Sequence, residues 1–330
     1  MRTALQIRDL RAEPGEREQG FLFIGESATG ALGIPLVIIN GFDDGPILCV
    51  TAGVHAAEYA PIDACMRLVQ EIRPDELHGA VIAVPVVNMT MFERRAGFVS
   101  PVDGLNLNKI APGRADGSFS ERLAHVLLQE IIGVADCHID LHAGDLGEEL
   151  LAFAGSAMTG DAAVDARGEE MARAFTPELI SLSTSPASTI PPFPGSLCYE
   201  AAHNGIASIL AESGGDGTLR AEDVGLHVDG TLDVMRCLGM LDSTARPNRA
   251  RTAAQHRVIV RASRAGLVRH KVRVGDRVTA GQEVAEILDV FGDVVERVSS
   301  SGDGVIGLIW TNKVVATGDP LVRYWITEPA

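Results

Sequence analysis

The order of apolar runs predicts an α/β domain followed by a smaller, mostly-β module. Three observations carry that prediction. Pro46–Thr51 and Ala80–Val87 are continuously apolar, as strands covered on both faces are. Segments with helical spacing lie between such runs, for example Ile62, Cys65, Leu68, Val69 and Ile72. Beyond about residue 250 the composition changes, and short β-like runs alternate with Gly-Asp and Gly-Gln turns.

The amino-terminal 20 residues are polar and weakly patterned, as an arm or an edge strand would be. Phe21–Ile24 and Pro35–Ile39 read as strands, and Gly41–Gly45 as a turn. The strand at Pro46–Thr51 delivers Gly53-Val-His-Ala-Ala-Glu58 to the start of a helix over Tyr59–Ile72. The strand at Ala80–Val87 then opens into a long loop, Met89–Arg114, whose length marks it as functional. Ser118 with Glu121 three residues on is a capping-box pattern, so a helix is expected over 118–132. Cys137–His142 alternates as a strand and places His138, Asp140 and His142 on one face. Further helices are expected at 161–175, 196–204 and 222–241, with a strand at Ala207–Ala211 ending on Glu212. The Ser/Thr/Pro-rich stretch 181–195 suits either a linker or a rigid loop over a site. Arg246–Gln255 is the best domain linker, which divides the chain into 1–250 and 251–330.

Composition narrows the function. A 330-residue chain that is 46% hydrophobic can build one large domain and a small one. The formal net charge of -16 argues against nucleic acid and anionic membrane surfaces. Five scattered cysteines in apolar runs, with no CxxC pair, read as buried thiols in a reducing compartment. With no signal pattern and no membrane-length apolar run, a cytoplasmic protein is expected. Nothing in the sequence sets the oligomeric state, and a homo-oligomer is compatible with it.

His55, Glu58, His142 and Glu212 all fall at or just past the carboxyl ends of expected strands, where ligands bind in open α/β sheets. Alone, His-x-x-Glu also describes polar residues on a solvated turn. The coincidence of four such positions favours a metal site. Two histidines and a glutamate are an established catalytic zinc set, which leaves a position open for water. Zinc held by His55, Glu58 and His142 would activate water and polarise a carbonyl, with Glu212 as general base and then acid. From the long loop, Arg95, with Arg94 in reserve, is expected to stabilise an oxyanion, and Asn108 and Lys109 to hold a substrate carboxylate. Asn106 is placed to orient a metal-bound histidine. His78, His227, His256 and His270 stand in polar contexts and are expected on the surface. His138 reads as a core or supporting histidine, and His203 has no evident partner.

In order, Gly53-Val-His-Ala-Ala-Glu58, Asp103-Gly-Leu-Asn-Leu-Asn-Lys-Ile-Ala-Pro-Gly113, Ile139-Asp-Leu-His142 and Ala211-Glu-Ser-Gly-Gly215 resemble the succinylglutamate desuccinylase/aspartoacylase family, relatives of the zinc carboxypeptidases. The resemblance spans about Phe21 to the carboxyl terminus. It implies a zinc-carboxypeptidase-like mixed sheet flanked by helices, a mostly-β carboxyl-terminal domain, and one zinc ion. It also implies hydrolysis of the acyl amide of a small N-acyl amino acid. The loop and the Glu-x-Gly-Gly segment look most like the branch acting on N-alpha-acetyl-L-2,4-diaminobutyrate. The chain departs from the pattern at Ala56 and at Ala111, and at Lys109, which replaces an arginine fork by a point charge. The last 80 or so residues resemble a lipoyl/biotin-carrier sandwich, but the Leu288–Glu296 hairpin has no lysine, which argues against a carrier role.

A metal-dependent deacylase is therefore the expected activity. A carboxypeptidase acting on peptide ends, or a metal-binding protein with a degenerate site, is the alternative.

Overall fold

The computed structural model describes residues 2–28, 30–175, 179–183, 188–243 and 252–327. The amino-terminal arm is a small antiparallel hairpin, β1 (Leu5–Ile7) and β2 (Leu10–Ala12), which tucks Ile7 and Ala12 into the core. The two runs near Phe21 and Pro35 form one long hairpin, β3 (Glu16–Ser27) with β4 (Gly30–Asn40).

The strand–helix alternation then follows as expected. It runs β5 (Asp43–Ala52), α1 (Tyr59–Glu71), β6 (His78–Val84), α2 (Met89–Arg94), α3 (Phe119–Val126) and β7 (Cys137–His142). Next come β8 (Glu148–Leu150), β9 (Phe153–Ala157), α4 (Ala162–Ala174), β10 (Leu179–Ser183), α5 (Leu197–His203), β11 (Ala207–Glu212) and α6 (Ala221–Cys237). The long loop is less irregular than its composition suggests: it holds α2 and a 3-10 turn at Leu107–Lys109. At α3 the Ser118 N–H donates to the Glu121 carboxylate at 2.8 Å, as the capping-box pattern predicts.

From Pro46 to Ala52 β5 is apolar but for the buried Thr51, because this part is covered on both sides. Leu48, Val50 and Ala52 join one core with Ile62 and Leu68 of α1, Met171 of α4 and Val234 of α6. Cys49 faces the other core, with Leu123 of α3 and Leu197 of α5. The period-2 alternation thus sorts side chains between two helical layers.

Among the described residues the carboxyl-terminal part comprises β12 (Thr252–Arg261), β13 (Gly266–His270), β14 (Arg277–Val278), β15 (Glu283–Leu288), β16 (Val294–Ser299), β17 (Gly304–Trp310), β18 (Val314–Val315) and β19 (Pro320–Thr327). The expected linker falls mostly within 244–251, outside the described residues. The main sheet crosses that boundary. Its strand order is β14-β17-β19-β12-β10-β9-β11-β7-β5-β6-β4-β3, with β12 parallel to β10. An antiparallel sheet, β16-β15-β13-β18, completes the module. Trp325 of β19 is fully buried against Phe153 of β9, ring centroids 5.6 Å apart, and seals the two parts together. No helix among the described residues is long and apolar enough to cross a membrane.

Candidate functional site

Three adjacent parallel strands, β11, β7 and β5, end side by side. Their carboxyl ends carry Glu212, His142 and, one turn beyond β5, His55 and Glu58. Gly53 makes that turn at φ +71°, where a Cβ would also press to 3.2 Å from Ile62. The close turn brings His55 back over β7.

His55, Glu58 and His142 are 7%, 3% and 2% exposed. One donor atom from each lies within 4.8 Å of the other two. Both imidazoles aim Nδ1 at the same carboxylate: His55 Nδ1 is 2.8 Å from Glu58 Oε1, and His142 Nδ1 is 3.0 Å from Glu58 Oε2. Glu58 Oε2 also accepts from the Ala143 N–H at 2.9 Å. Burial opposes the Glu58 carboxylate, yet His142 and His55 outweigh it and hold it down at about 2. Burial likewise opposes charge on the two imidazoles, but Glu58 beside His55, and Asp140 with Glu58 beside His142, raise both above the ordinary histidine value. A buried set of two nitrogens and a carboxylate, already converged, fits a divalent ion of the zinc type.

The far nitrogens are held too. Asn106 Oδ1 is 3.0 Å from His55 Nε2 and also accepts from the Asn108 N–H at 2.9 Å. Asp140 Oδ2 lies 3.2 Å from His142 Nε2, an ion-pair contact without hydrogen-bond alignment. Its other oxygen accepts from the Thr51 hydroxyl at 2.6 Å, so the Thr51 oxygen is left to accept from His138 Nε2 at 2.9 Å. His138 Nδ1 then accepts from the Ser208 hydroxyl at 2.8 Å. Burial pushes His138 down to about 4 and keeps it neutral. This chain of polar groups crosses β5, β7 and β11 beneath the site. Sequence reasoning missed Asp140 as its hub, although Asp140 shares the strand face of His142, and Thr51 and Ser208 are hydroxyl residues in apolar strands.

A cavity of about 600 Å³ opens over these residues. Glu212 lines it, and burial, reinforced by Glu58 and Glu148, pushes its carboxyl up to about 8 against the pull of His142 and Arg323. Asn108 and Lys109 line it as well; Asn108 Oδ1 is buried without a partner, and Lys109 stands exposed. Pro191–Pro194 form part of the wall, so this end of the Pro-rich stretch lies over the site; residues 184–187 fall outside the described residues. Phe98 adds an edge-on contact to His55 at 5.8 Å.

The loop arginines are not brought in. Arg95 ends α2 in the left-handed region, φ +53°, and it and Arg94 are exposed and absent from the cavity lining. The reason is local: α2 uses up the residues assumed to be open loop and turns both side chains outward. The cavity's arginines are instead Arg257 of β12 and Arg323 of β19, which no sequence motif marks. His227 is another correction. It is fully buried and its Nε2 lies 3.1 Å from the Ser213 carbonyl, because it falls on the inward stripe Val224–Val228–Thr231 of α6. His203 bonds the Tyr199 carbonyl through Nδ1 at 2.9 Å and stacks on its ring.

Residues 44–238 match the succinylglutamate desuccinylase/aspartoacylase catalytic domain. The chain is 29% identical over 302 residues to the N-alpha-acetyl-L-2,4-diaminobutyric acid deacetylase of Halomonas elongata, covering 88% of this chain and 85% of that protein. Its fold superposes on the product-bound ectoine utilization protein EutE (DoeB) of Ruegeria pomeroyi with a TM-score of 0.85 at 22% identity, over 94% and 95% of the two chains. A succinylglutamate desuccinylase/aspartoacylase structure from Rhodobacter sphaeroides aligns at a TM-score of 0.81 and 27% identity, over 95% and 96%. With the match spanning more than half of its length, this chain belongs to the succinylglutamate desuccinylase/aspartoacylase family.

Proposed function

We propose that the protein is a zinc-dependent amide hydrolase that removes the acyl group from a small N-acyl amino acid, with N-alpha-acetyl-L-2,4-diaminobutyrate as the favoured substrate. The observation that carries this reading is the convergence of His55, Glu58 and His142 on one point at the base of a cavity of about 600 Å³. That volume suits a small molecule. The Halomonas deacetylase supports the substrate choice.

His55, Glu58 and His142 would hold zinc, which when bound supplies an activated water and a polarised acyl carbonyl. Asn106 and Asp140 fix the orientation of the two imidazoles. Glu212 takes the proton of the attacking water and passes it to the departing amine. A base must be ionised; a cation beside His142 favours the Glu212 carboxylate that burial disfavours. Asn108 offers its unpaired oxygen to a substrate N–H. Glu148, whose carboxyl burial raises, is the acid in the cavity available to a cationic side chain. The wall formed by Pro191–Pro194 and by Leu308 of β17 favours a small substrate over a peptide end.

Amine release by the zinc-loaded protein should be measured with N-alpha-acetyl-L-2,4-diaminobutyrate, N-acetylaspartate and N-succinylglutamate. Turnover of the first alone is expected. Turnover of an acidic substrate instead would overturn the substrate choice, and release from none would overturn the deacylase reading.

A further inference from the structure

β12 and β19 pair antiparallel, with Arg257 opposite Trp325 and Ile259 opposite Arg323. Arg257 and Arg323 are therefore diagonal neighbours on one face of the sheet, a spacing that long side chains bridge. The same face carries Trp325, whose burial against Phe153 anchors the strand pair to the catalytic layer. From that anchor both arginines reach the cavity that holds Glu212, His55 and His142.

Each guanidinium is positioned by an aromatic ring. Arg257 lies 4.5 Å over Phe193, and Arg323 lies 5.5 Å over Trp310. Stacking occupies the flat face and leaves the N–H edge free. Among the described residues neither guanidinium has a hydrogen-bond acceptor or a carboxylate in ion-pair reach, and Glu148 and Glu212 act on them only from farther off. Arg323 Nε is buried and unpartnered. A buried donor without an acceptor is costly, and two neighbouring cations with no carboxylate in direct contact add to that cost. Burial, and then Arg323, pull Arg257 down to about 10; burial also lowers Arg323, against the opposing pull of Glu148 and Glu212. The free N–H edges of this corner of the cavity are therefore suited to an anion.

We infer that Arg257 and Arg323, delivered by the carboxyl-terminal strands, form the subsite that holds the α-carboxylate of the N-acyl amino acid. The inference rests on the deacylase reading for the identity of the ligand. It moves carboxylate recognition away from Lys109, which is exposed, and Asn108, whose buried unpaired atom is an acceptor. It also gives the carboxyl-terminal module a role in specificity: the catalytic layer supplies the reacting groups, and the module reads the amino acid.

The test is calorimetric binding of N-alpha-acetyl-L-2,4-diaminobutyrate and of its carboxamide to the full-length, metal-free protein. Steady-state kinetics of the zinc-loaded protein accompany it. Wild type should bind the carboxylate about 10- to 100-fold more tightly than the carboxamide, the range of a charge-assisted pair. Arg257→Gln should abolish that preference while binding the carboxamide as before, and should raise KM rather than lower kcat. Arg257→Lys and Arg323→Lys, which keep charge and stem, should retain part of the preference. Preference intact in Arg257→Gln overturns the inference. So does an equal fall in kcat on both ligands, which would place the pair at the acyl oxygen instead. A protein that binds the carboxylate through Arg257 yet releases no amine would uphold the subsite and sink the deacylase reading alone.

Discussion

Glu212 of β11 stands in register with His142 of β7, so the proposed base and a proposed metal ligand are neighbours on adjacent parallel strands. Neither can move without shifting a strand buried on both faces. The proton-handling group is thus fixed relative to the metal site by sheet hydrogen bonding, not by a mobile loop.

Replacing that base tests the assignment directly. Glu212→Gln should lower kcat by about 10²- to 10⁴-fold, the usual worth of a positioned general base. Zinc content, measured by elemental analysis, should stay at the wild-type level. A variant that retains full activity would remove Glu212 from the chemistry.

Asp140 supports His142 from behind at 3.2 Å and is itself tied to Thr51 and, through it, to His138. Asp140→Asn should weaken zinc binding by about 10- to 100-fold, as loss of such a support does. Competition with a chelator of known affinity measures it. Unchanged affinity would mean that the carboxylate does not orient the imidazole.

Asp103 secures the start of α3. One of its oxygens accepts from the Ser118 hydroxyl and the Ser120 N–H, and the other from the Ser120 hydroxyl, each at 2.8 Å. Burial would raise its pKa, but these bonds outweigh burial and hold it below its ordinary value. A carboxylate depressed on folding contributes stability above its unfolded value, and that contribution is lost as pH falls through the folded one. Asp103→Ala should therefore destabilise the protein by about 1–3 kcal/mol near neutral pH. The gap to wild type should close in acid below about pH 4. Denaturant midpoints across pH report it, and a gap that widens in acid would contradict the sign.

Trp325 seals the strand pair that carries Arg257 and Arg323 onto Phe153. Trp325→Ala should cost about 3–5 kcal/mol, as other large-to-small aromatic changes in cores do. Chemical denaturation followed by circular dichroism would show it. A loss below about 1 kcal/mol would mean that the module is held by other contacts.

Much of the site could be read from the chain because its signals are local. His55 and Glu58 lie three residues apart at a strand–helix junction, and His142 and Glu212 end apolar strands, so the parallel β11-β7-β5 order brings all four to one cavity. Apolar continuity, capping residues and period-2 alternation act between near neighbours, and a sequence displays them. Arg95 misled for the same reason: a loop arginine near a motif looks available, and only the turns of α2 send it outward. Arg257 and Arg323 carry no motif. Their place in the cavity comes from β12 pairing with β10 and with β19, contacts between segments far apart in sequence. The chain by itself determined the strand–helix alternation and the four polar ends of its strands. Tertiary structure alone decided which cations face the cavity, because that depends on strand pairing and burial across the whole sheet, and no run of neighbouring residues encodes it.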